Sequence, residues 1–215
     1  MQNYKQKFFE LAMARGNLKF GEFTLKSGRI SPYFFNSGLF NDGPSLSRLG
    51  HYYASTIQHS DIEFDMLFGP AYKGIPLASA TAIALADHYQ KAYPYCFNRK
   101  EAKDHGEGGI TFGAPLSGRV LIIDDVISAG TSVNLSVDII TSSKAEPVGS
   151  VVSLNRQERG EGRQSAIQEV EQLHGIRVIS IISLENIIEF LQDDPAMQDN
   201  ITAVSSYRER YGADT

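Results

Sequence analysis

Short apolar runs alternate along this chain with stretches whose apolar residues recur at helical spacing. The apolar runs predict buried strands over 66–68, 93–98, 120–123, 147–154 and 177–182. The helical spacing predicts helices over 2–14, 75–90, 133–140, 163–174 and 184–191, one that starts at 42–44, and a last one between 195 and 212. Strands that alternate with helices predict an α/β fold with a mostly parallel central sheet, flanked by helices on both faces.

Two regions depart from this alternation. Residues 17–40 combine short strand-like pieces with glycine and proline breaks, and they predict a small hood, mainly within 1–40, that precedes the main sheet. Residues 99–113 lack apolar periodicity and contain four glycines, so a long mobile loop is expected there. A loop of this length within a compact domain usually has a function or is disordered.

Composition narrows the class of protein. A chain of 215 residues with 42% hydrophobic residues suits a single globular domain over 1–215. The formal net charge of −5 argues against a general binder of nucleic acid or of membrane surfaces. Cys96 is the one cysteine, so an internal disulfide is impossible, and we expect a small buried hydrophobe. The chain starts without the apolar core of a signal peptide and has no run of membrane-spanning length, so a soluble cytoplasmic protein is expected.

The stretch 120–132 carries the strongest chemical signal. Its apolar strand ends in Asp124 and Asp125, which a turn of small and hydroxyl residues separates from the next helix. Free backbone N–H groups and the positive end of the helix dipole make such a turn an anion site. Two carboxylates would repel a phosphate, but they suit sugar hydroxyls or a cation. We therefore predict a ligand with both a phosphate and a ribose; the alternative is an acid pair that only caps the helix.

Further candidate residues follow other predicted strands. The turn 69–74 offers backbone donors and Lys73 for a second phosphate, although such turns are common in ordinary loops. In an open parallel sheet, the turns after the strands that end at 68, 123 and 154 meet at one rim. Arg156 begins the last of these turns and could bind a carboxylate or a pair of carbonyls, whereas Arg159 is expected at the surface.

Two more segments combine cations with groups that could close over a ligand. The segment 99–109 contains Arg99, Lys100, Lys103 and His105 between glycines, and beside two phosphate turns it could cover a polyphosphate and exclude water. On its own it is more typical of a solvated loop. The segment 23–35 places Lys26 near Phe34 and Phe35, a combination that suits a flat anionic heterocycle. Core packing is the alternative for the two phenyl rings.

The stretch 120–132 resembles the 5-phosphoribosyl 1-diphosphate (PRPP) motif of the type I phosphoribosyltransferases. Segments 23–28, 32–35, 69–74, 99–106 and 156–160 resemble the bacterial members of this family that act on orotate, in the expected order and over almost the whole chain. The resemblance implies the type I phosphoribosyltransferase fold, transfer of the phosphoribosyl group from PRPP to orotate in pyrimidine synthesis, and Mg²⁺ as the cofactor.

The resemblance also implies which residues form the site. Arg99, Lys100, Lys103 and His105 would be catalytic. PRPP would be bound by Lys26, Tyr72, Lys73, Arg99, Lys100, Lys103, His105, Asp124, Asp125, Val126, Ile127, Ser128, Ala129, Gly130, Thr131 and Ser132. Orotate would be bound by Lys26, Phe34, Phe35, Ser128 and Arg156. Mg²⁺ would be held mainly through PRPP, with Asp125 as a candidate protein ligand. The loop 99–109 would be shared across the subunits of a homodimer, with part of it reaching the neighbouring subunit's site. Neither nucleic acid nor membrane is an expected partner.

One residue departs from the family pattern, and two alternative functions remain open. Ser128 stands where we expect Thr, which predicts a modest effect on the packing of the turn and no change of reaction. The first alternative is a phosphoribosyltransferase for a purine or another pyrimidine base. The second is a non-catalytic PRPP-binding regulator, for instance one that binds RNA. The net charge disfavours this regulator, which would also leave the segment 99–109 without a purpose.

Overall fold

The computed structural model describes residues 3–25, 27–103, 109–160, 162–192 and 194–213, with only the backbone for 102 and 103. Its elements in chain order are α1 (Asn3–Ala14), β1 (Leu18–Thr24), β2 (Ile30–Phe35), α2 (Gly43–Gln58), β3 (Met66–Gly69), α3 (Gly74–Tyr89), β4 (Tyr95–Lys103), β5 (Gly109–Gly113), β6 (Arg119–Ile123), α4 (Thr131–Ser142), β7 (Glu146–Asn155), α5 (Ala166–His174), β8 (Arg177–Ser183), α6 (Leu184–Gln192) and α7 (Gln198–Tyr211). Short 3₁₀ helices cover Ser37–Leu39 and Pro195–Met197.

A six-stranded sheet in the order β5-β4-β3-β6-β7-β8 forms the centre of the molecule. All neighbouring strands are parallel except β4 and β5, which pair antiparallel. The predicted α/β class with a mostly parallel sheet is therefore confirmed. The carboxyl ends of β3, β6 and β7 lie at one edge of this sheet, where the chain turns into the polar segments singled out above.

Alternate strand residues point to opposite faces of the sheet, so an apolar strand makes both faces apolar. Helices cover both of these faces. Leu121 and Ile123 belong to the larger core, together with residues of α1, α2, α3, α6 and α7. Val120 and Ile122 belong to the core shared with α4 and α5. Cys96 is buried in this second core, as predicted, and burial raises the pKa of its thiol to about 12. Within the described ranges, no helix has both the length and the apolar character needed to cross a bilayer.

The region predicted as a hood forms a separate two-stranded antiparallel sheet of β1 and β2. Helix α7 packs against β2, where the ring of Tyr207 meets the fully buried Tyr33 edge-on, 6.2 Å between centroids. The last helix of the chain thus packs on the hood, which lies in the N-terminal part of the sequence. Part of the hood's support comes from the last helix, which the apolar pattern within 1–40 does not indicate.

The long loop predicted over 99–113 is wrong for most of its length. Strand β4 extends to Lys103 and β5 starts at Gly109, with Phe97 opposite Phe112 and Asn98 opposite Thr111. Arg99 reinforces the hairpin by donating to the carbonyls of Gly109 and Thr111, both at 3.2 Å. The hairpin lies at the edge of the sheet and is largely exposed, so it lacks the buried face that produces apolar alternation. Residues 104–108 lie outside the described part of the chain.

Several other boundaries differ from the predictions by one to three residues. Helix α5 starts at Ala166 rather than 163, because Ser165 and Gln168 form a capping box that sets the first turn. Strand β4 starts at Tyr95 rather than 93. The capping box of Asp42 and Ser45 starts α2 where the sequence predicts a helix.

Candidate active site

Asp124 and Asp125 follow β6 directly and are held by a dense set of hydrogen bonds. The Tyr53 hydroxyl donates to the Asp124 carbonyl at 2.6 Å, and the Ser153 hydroxyl donates to the Asp125 carbonyl at 2.6 Å. The Asp125 amide donates to the Asp124 carboxylate at 2.9 Å. Both acids are buried, with 5% and 9% of their surfaces exposed. Their backbone is fixed from the core side, so the carboxylates have little freedom to move away from a ligand.

The environment of Asp124 disfavours its charge. The pKa of its carboxyl is raised from 3.8 to about 6, mainly by burial and also by the neighbouring Asp125 charge, although a hydrogen bond from Ser132 opposes the shift. A buried carboxylate whose charge is disfavoured is stabilised by any ligand that brings further hydroxyl donors. The geometry therefore suits a polyol such as ribose, as the sequence predicts.

The turn after the acid pair leads into the N-terminus of α4. Gly130 adopts φ 71°, a conformation that favours glycine, and a Cβ there would also lie close to Val170, at 3.0 Å. Ser128, Thr131 and Ser132 are exposed, and the turn opens to solvent. The first amides of a helix lack intrahelical partners. The turn thus presents N–H groups, hydroxyls and the positive helix end to an anion of the size of a phosphate.

The turn between β3 and α3 lies beside the acid pair. Lys73 Nζ is 2.5 Å from Asp125 Oδ2, so the cation of this turn and an acid of the other are in direct contact. The Ala71 amide donates to Asn98 Oδ1 at 2.7 Å, and the Ala71–Tyr72 peptide bond is cis. The Tyr72 ring is 68% exposed, with Lys100 Nζ 4.6 Å from its centroid. Two turns with anion-binding character therefore meet at one rim.

Two residues of this rim are missed by the sequence reasoning. Ser37, in the 3₁₀ helix that follows β2, donates to Asp125 Oδ2 at 2.6 Å. Asn98 is buried and holds the Lys73 turn through Ala71. The signal for Asn98 was a polar side chain at the end of an apolar strand. Ser37 gives no such signal, since its partner is 88 residues away in the sequence.

The residues predicted to contact the base lie on β2 and after β7. Phe34 is exposed and stacks on Phe23 at 5.5 Å, whereas Phe35 is half-buried and packs against the core. Arg156 Nη2 lies 2.6 Å from Glu158 and donates to Ser31 on β2 at 3.2 Å. Arg159 is exposed, as predicted. Strand β2 thus connects the exposed phenyl ring with the guanidinium.

Of the predicted loop cations, only Arg99 and Lys100 are described with their side chains. Arg99 and Lys100 lie on β4, with Lys100 against the Tyr72 ring of the Lys73 turn. The backbone of Lys103 pairs with Gly109, and its side chain is not described. Lys26 and His105, both predicted for the site, lie outside the described residues.

Comparison with known proteins gives a consistent family. Residues 38–181 match the model of the phosphoribosyl transferase domain. Orotate phosphoribosyltransferase of Thioalkalivibrio sulfidiphilus is 61% identical over 212 residues, which cover 99% of this chain and all of that one. The Pseudomonas aeruginosa enzyme of the same name is 58% identical over 212 residues, with the same coverage. The crystal structure of the Francisella tularensis orotate phosphoribosyltransferase matches with a TM-score of 0.88 at 43% identity, over 96% of this chain and 100% of that chain.

Proposed function

The chain belongs to the phosphoribosyl transferase family, and we propose that it transfers the 5-phosphoribosyl group of PRPP to orotate, giving orotidine 5′-phosphate and diphosphate in pyrimidine synthesis. One observation carries this function: the Asp124–Asp125 pair lies between two anion-binding turns, in a chain that matches orotate phosphoribosyltransferases along its length. A ligand with a ribose between two phosphate groups fits this order of donors and acceptors.

In the proposed complex, the acid pair binds the ribose hydroxyls. Two hydroxyl donors would stabilise the ionised form of Asp124, whose charge is disfavoured in the free protein. The turn 128–132 and the α4 N-terminus bind the 5-phosphate through N–H groups. The sugar is then held at both ends, so the anomeric carbon has a defined position relative to the incoming base.

The diphosphate is assigned to the Lys73 turn. In the free protein Lys73 is paired with Asp125, and Ser37 donates to the same carboxylate oxygen. PRPP binding would exchange this pair, with Lys73 moving to the diphosphate and Asp125 to a hydroxyl. As the bond to diphosphate breaks, negative charge grows on the leaving group and positive charge on the sugar, and fixed cations near the diphosphate lower the barrier.

Mg²⁺ is proposed as the cofactor and would neutralise charge on the diphosphate. Mg²⁺ is usually held by one or two carboxylates together with substrate phosphates and water. Across the ranges that the structure describes, three or more His, Cys, Asp or Glu side chains do not come together as a ready cluster. Asp125, between the two anion-binding turns, is the donor that fits a metal held mainly through PRPP.

We further propose a homodimer in which the segment 99–109 completes the neighbouring subunit's site. Lys103 and His105 would then act on the neighbouring subunit's diphosphate and keep water from its anomeric carbon, whereas Lys100, beside Tyr72, would act in its own subunit's site. Supporting the dimer, β5 is the edge strand of the sheet and carries the exposed Ile110 and Phe112. Uncovered edge strands with apolar side chains favour association.

The proposed location is the cytoplasm, which suits a chain with one cysteine.

The proposed reaction is tested by mixing the protein with PRPP, Mg²⁺ and orotate and following the loss of orotate absorbance. Orotate-dependent release of diphosphate is the expected result. Turnover with uracil or a purine and none with orotate would instead indicate a transferase for another base. PRPP binding without turnover on any base would favour a non-catalytic regulator.

The shared site is tested by mixing two inactive variants, Lys103→Ala and Asp124→Asn. If the loop acts across the interface, half of the dimers contain one intact site, and activity returns to about a quarter of the wild-type value. A loop that serves its own subunit would give no recovery above the sum of the two variants. Refolding the two variants separately and mixing them afterwards is the control for subunit exchange.

Ser37→Ala is expected to raise the KM for PRPP by about 3- to 10-fold, because a hydrogen bond that orients a charged group contributes about 1 kcal/mol or more. The KM for orotate should change less than twofold, because substitutions at separate sites influence each other by only about 0.5 kcal/mol. Ser79→Ala is the matched control, since Ser79 donates only to a carbonyl within α3. An unchanged KM for PRPP would show that Ser37 does not position Asp125.

Ser128→Thr is expected to change kcat by less than about threefold, or about 0.6 kcal/mol, because threonine keeps the hydroxyl and adds one methyl group. Ser128 is exposed in an open turn, which leaves room for the added methyl group while the hydroxyl is kept. Steady-state kinetics with both substrates measure this. Loss of activity would mean that the shape of the turn depends on the smaller side chain.

A further inference from the structure

A partly buried ion pair lies at the proposed base-binding end of the site. Arg156 Nη2 is 2.6 Å from Glu158 Oε1, with 17% and 12% of the two side chains exposed. The Tyr33 hydroxyl donates to the same carboxylate oxygen at 2.9 Å. Because most of each side chain is shielded from solvent, removing one partner leaves the other charge poorly compensated, so the two side chains depend on each other.

Three groups restrict the guanidinium of Arg156. Besides Glu158, Ser31 accepts from Nη2 at 3.2 Å, and the Tyr33 ring lies 4.3 Å from Cζ. Burial raises the pKa of the Tyr33 hydroxyl well above its usual range, so it remains protonated and donates to Glu158. A guanidinium has five N–H donors in one plane. Fixing the Nη2 corner and the stacked face therefore fixes the direction of the remaining donors.

Glu158 is itself held by the end of the chain. Its backbone forms an antiparallel bridge with Gly212, and the next residue, Arg159, donates its amide to the carbonyl of Tyr211 at 2.9 Å. The Ala213 amide donates to the Gln157 carbonyl at 2.9 Å. The segment that carries the carboxylate is thus clamped by the residues after α7, and the hood supplies Tyr33 and Ser31 from the other side.

We propose that Glu158 is a positioning residue for base recognition, which holds Arg156 and cancels its charge so that Arg156 donates to a neutral ring carbonyl of the pyrimidine. This inference rests on the proposed function. A second carboxylate beside Arg156 would meet the charge of Glu158 at short range, and like charges in contact oppose binding. The carboxylate of orotate is therefore bound by other groups. Base recognition at this end depends on hydrogen-bond direction rather than on net charge.

Steady-state kinetics of Glu158→Gln test this role. We expect the KM for orotate to rise about tenfold, because Arg156 loses its anchor, while the KM for PRPP stays within about twofold. Glu63→Gln is the matched control, since Glu63 also pairs with an arginine, Arg119, at 2.6 Å. That pair lies at the amino ends of β3 and β6, away from the proposed site, and both side chains are exposed. Equal changes in both KM values, or no change in either, would overturn the proposal.

A double-variant cycle separates positioning from a general loss of structure. If Glu158 acts through Arg156, Glu158→Gln has no further effect on the KM for orotate in an Arg156→Gln background. Additive effects would contradict this. Should Glu158→Gln unfold below the assay temperature, Tyr33→Phe makes the same test, with an expected selective rise of about threefold in the KM for orotate. A wild-type protein inactive with orotate would refute the proposed function itself, whereas an active wild type with unselective variants would refute only the role of Glu158.

Discussion

Asp124→Asn is expected to lower kcat/KM by about 100-fold and, in the same protein, to raise the stability of the free fold. Hydrogen bonds to a charged group contribute about 1.5 to 3 kcal/mol, and about 1.4 kcal/mol corresponds to a tenfold change in rate. The amide keeps the shape of the side chain but lacks the negative charge. That charge would bind the ribose hydroxyls while positive charge develops at the anomeric carbon. The loss should therefore appear mainly in the catalytic step.

The gain in stability follows from the direction of the pKa shift. The folded-state pKa of Asp124 is raised from 3.8 to about 6, so the folded protein binds this proton more tightly than the unfolded chain. Stability is therefore highest when the group is protonated and falls as the pH rises from about 4 to 6. Asparagine does not ionise, so the variant keeps its stability as the pH rises. It should be more stable than wild type by about 1 to 3 kcal/mol above pH 6.

Thermal unfolding at pH 4, 5, 6 and 7 measures this difference, and the orotate assay measures the activity. The gap in Tm between Asp124→Asn and wild type should open between pH 4 and 6 and then stay constant. Asp138→Asn, at an exposed position of α4, is the control and should change neither quantity. A variant that is less stable at pH 7, or equally active, would contradict the assigned role of Asp124.

Gly69→Ala is expected to disrupt both folding and PRPP binding. A Cβ at Gly69 would lie 2.7 Å from the carbonyl carbon of Gly74 and 2.9 Å from Ala78, and closer still to the Gly74 oxygen. Backbone atoms of the Lys73 turn would have to move to admit it. Overpacking of this kind costs about 3 kcal/mol, which is a drop of about 6 to 12 °C in Tm for a chain of this size.

The matched control is Gly43→Ala, another glycine substitution in the same chain. A Cβ there meets no atom within 4 Å, and Gly43 begins α2. Its effect should be neutral or slightly stabilising, by less than about 1 kcal/mol. If Gly69→Ala kept the wild-type Tm and the wild-type KM for PRPP, the close approach of β3 and α3 would not be what forms the Lys73 turn.

The centre of the site could be predicted from the sequence because its parts are local. An apolar strand, two acids, a turn and a helix are contiguous, so the position of Asp124 and Asp125 follows from their neighbours in the chain. The contact of Lys73 with Asp125 follows from two strands ending at one edge. Ser37 and Glu158 could not be found in this way, since their contacts join the N-terminal part of the chain to the rim across 88 and 125 residues.

The hairpin of β4 and β5 shows where apolar periodicity fails. Ile110 and Phe112 alternate with Thr111, but both side chains are exposed, and Phe112 lies opposite Phe97 in the ladder. A strand at an uncovered edge has no buried face to impose a pattern. The pairing depends on contacts such as Phe97 with Phe112, 5.3 Å between ring centroids, and on the carbonyls that Arg99 bonds.

The central claim is that this site joins PRPP to orotate rather than to another base. A competition assay tests it most directly: the protein is incubated with PRPP, Mg²⁺ and equal concentrations of orotate, uracil and adenine, and the nucleotides formed are separated. Orotidine 5′-phosphate is the expected product, formed in step with diphosphate and lost in Asp124→Asn. Formation of uridine or adenosine monophosphate in its place, or no nucleotide at all, would contradict the claim.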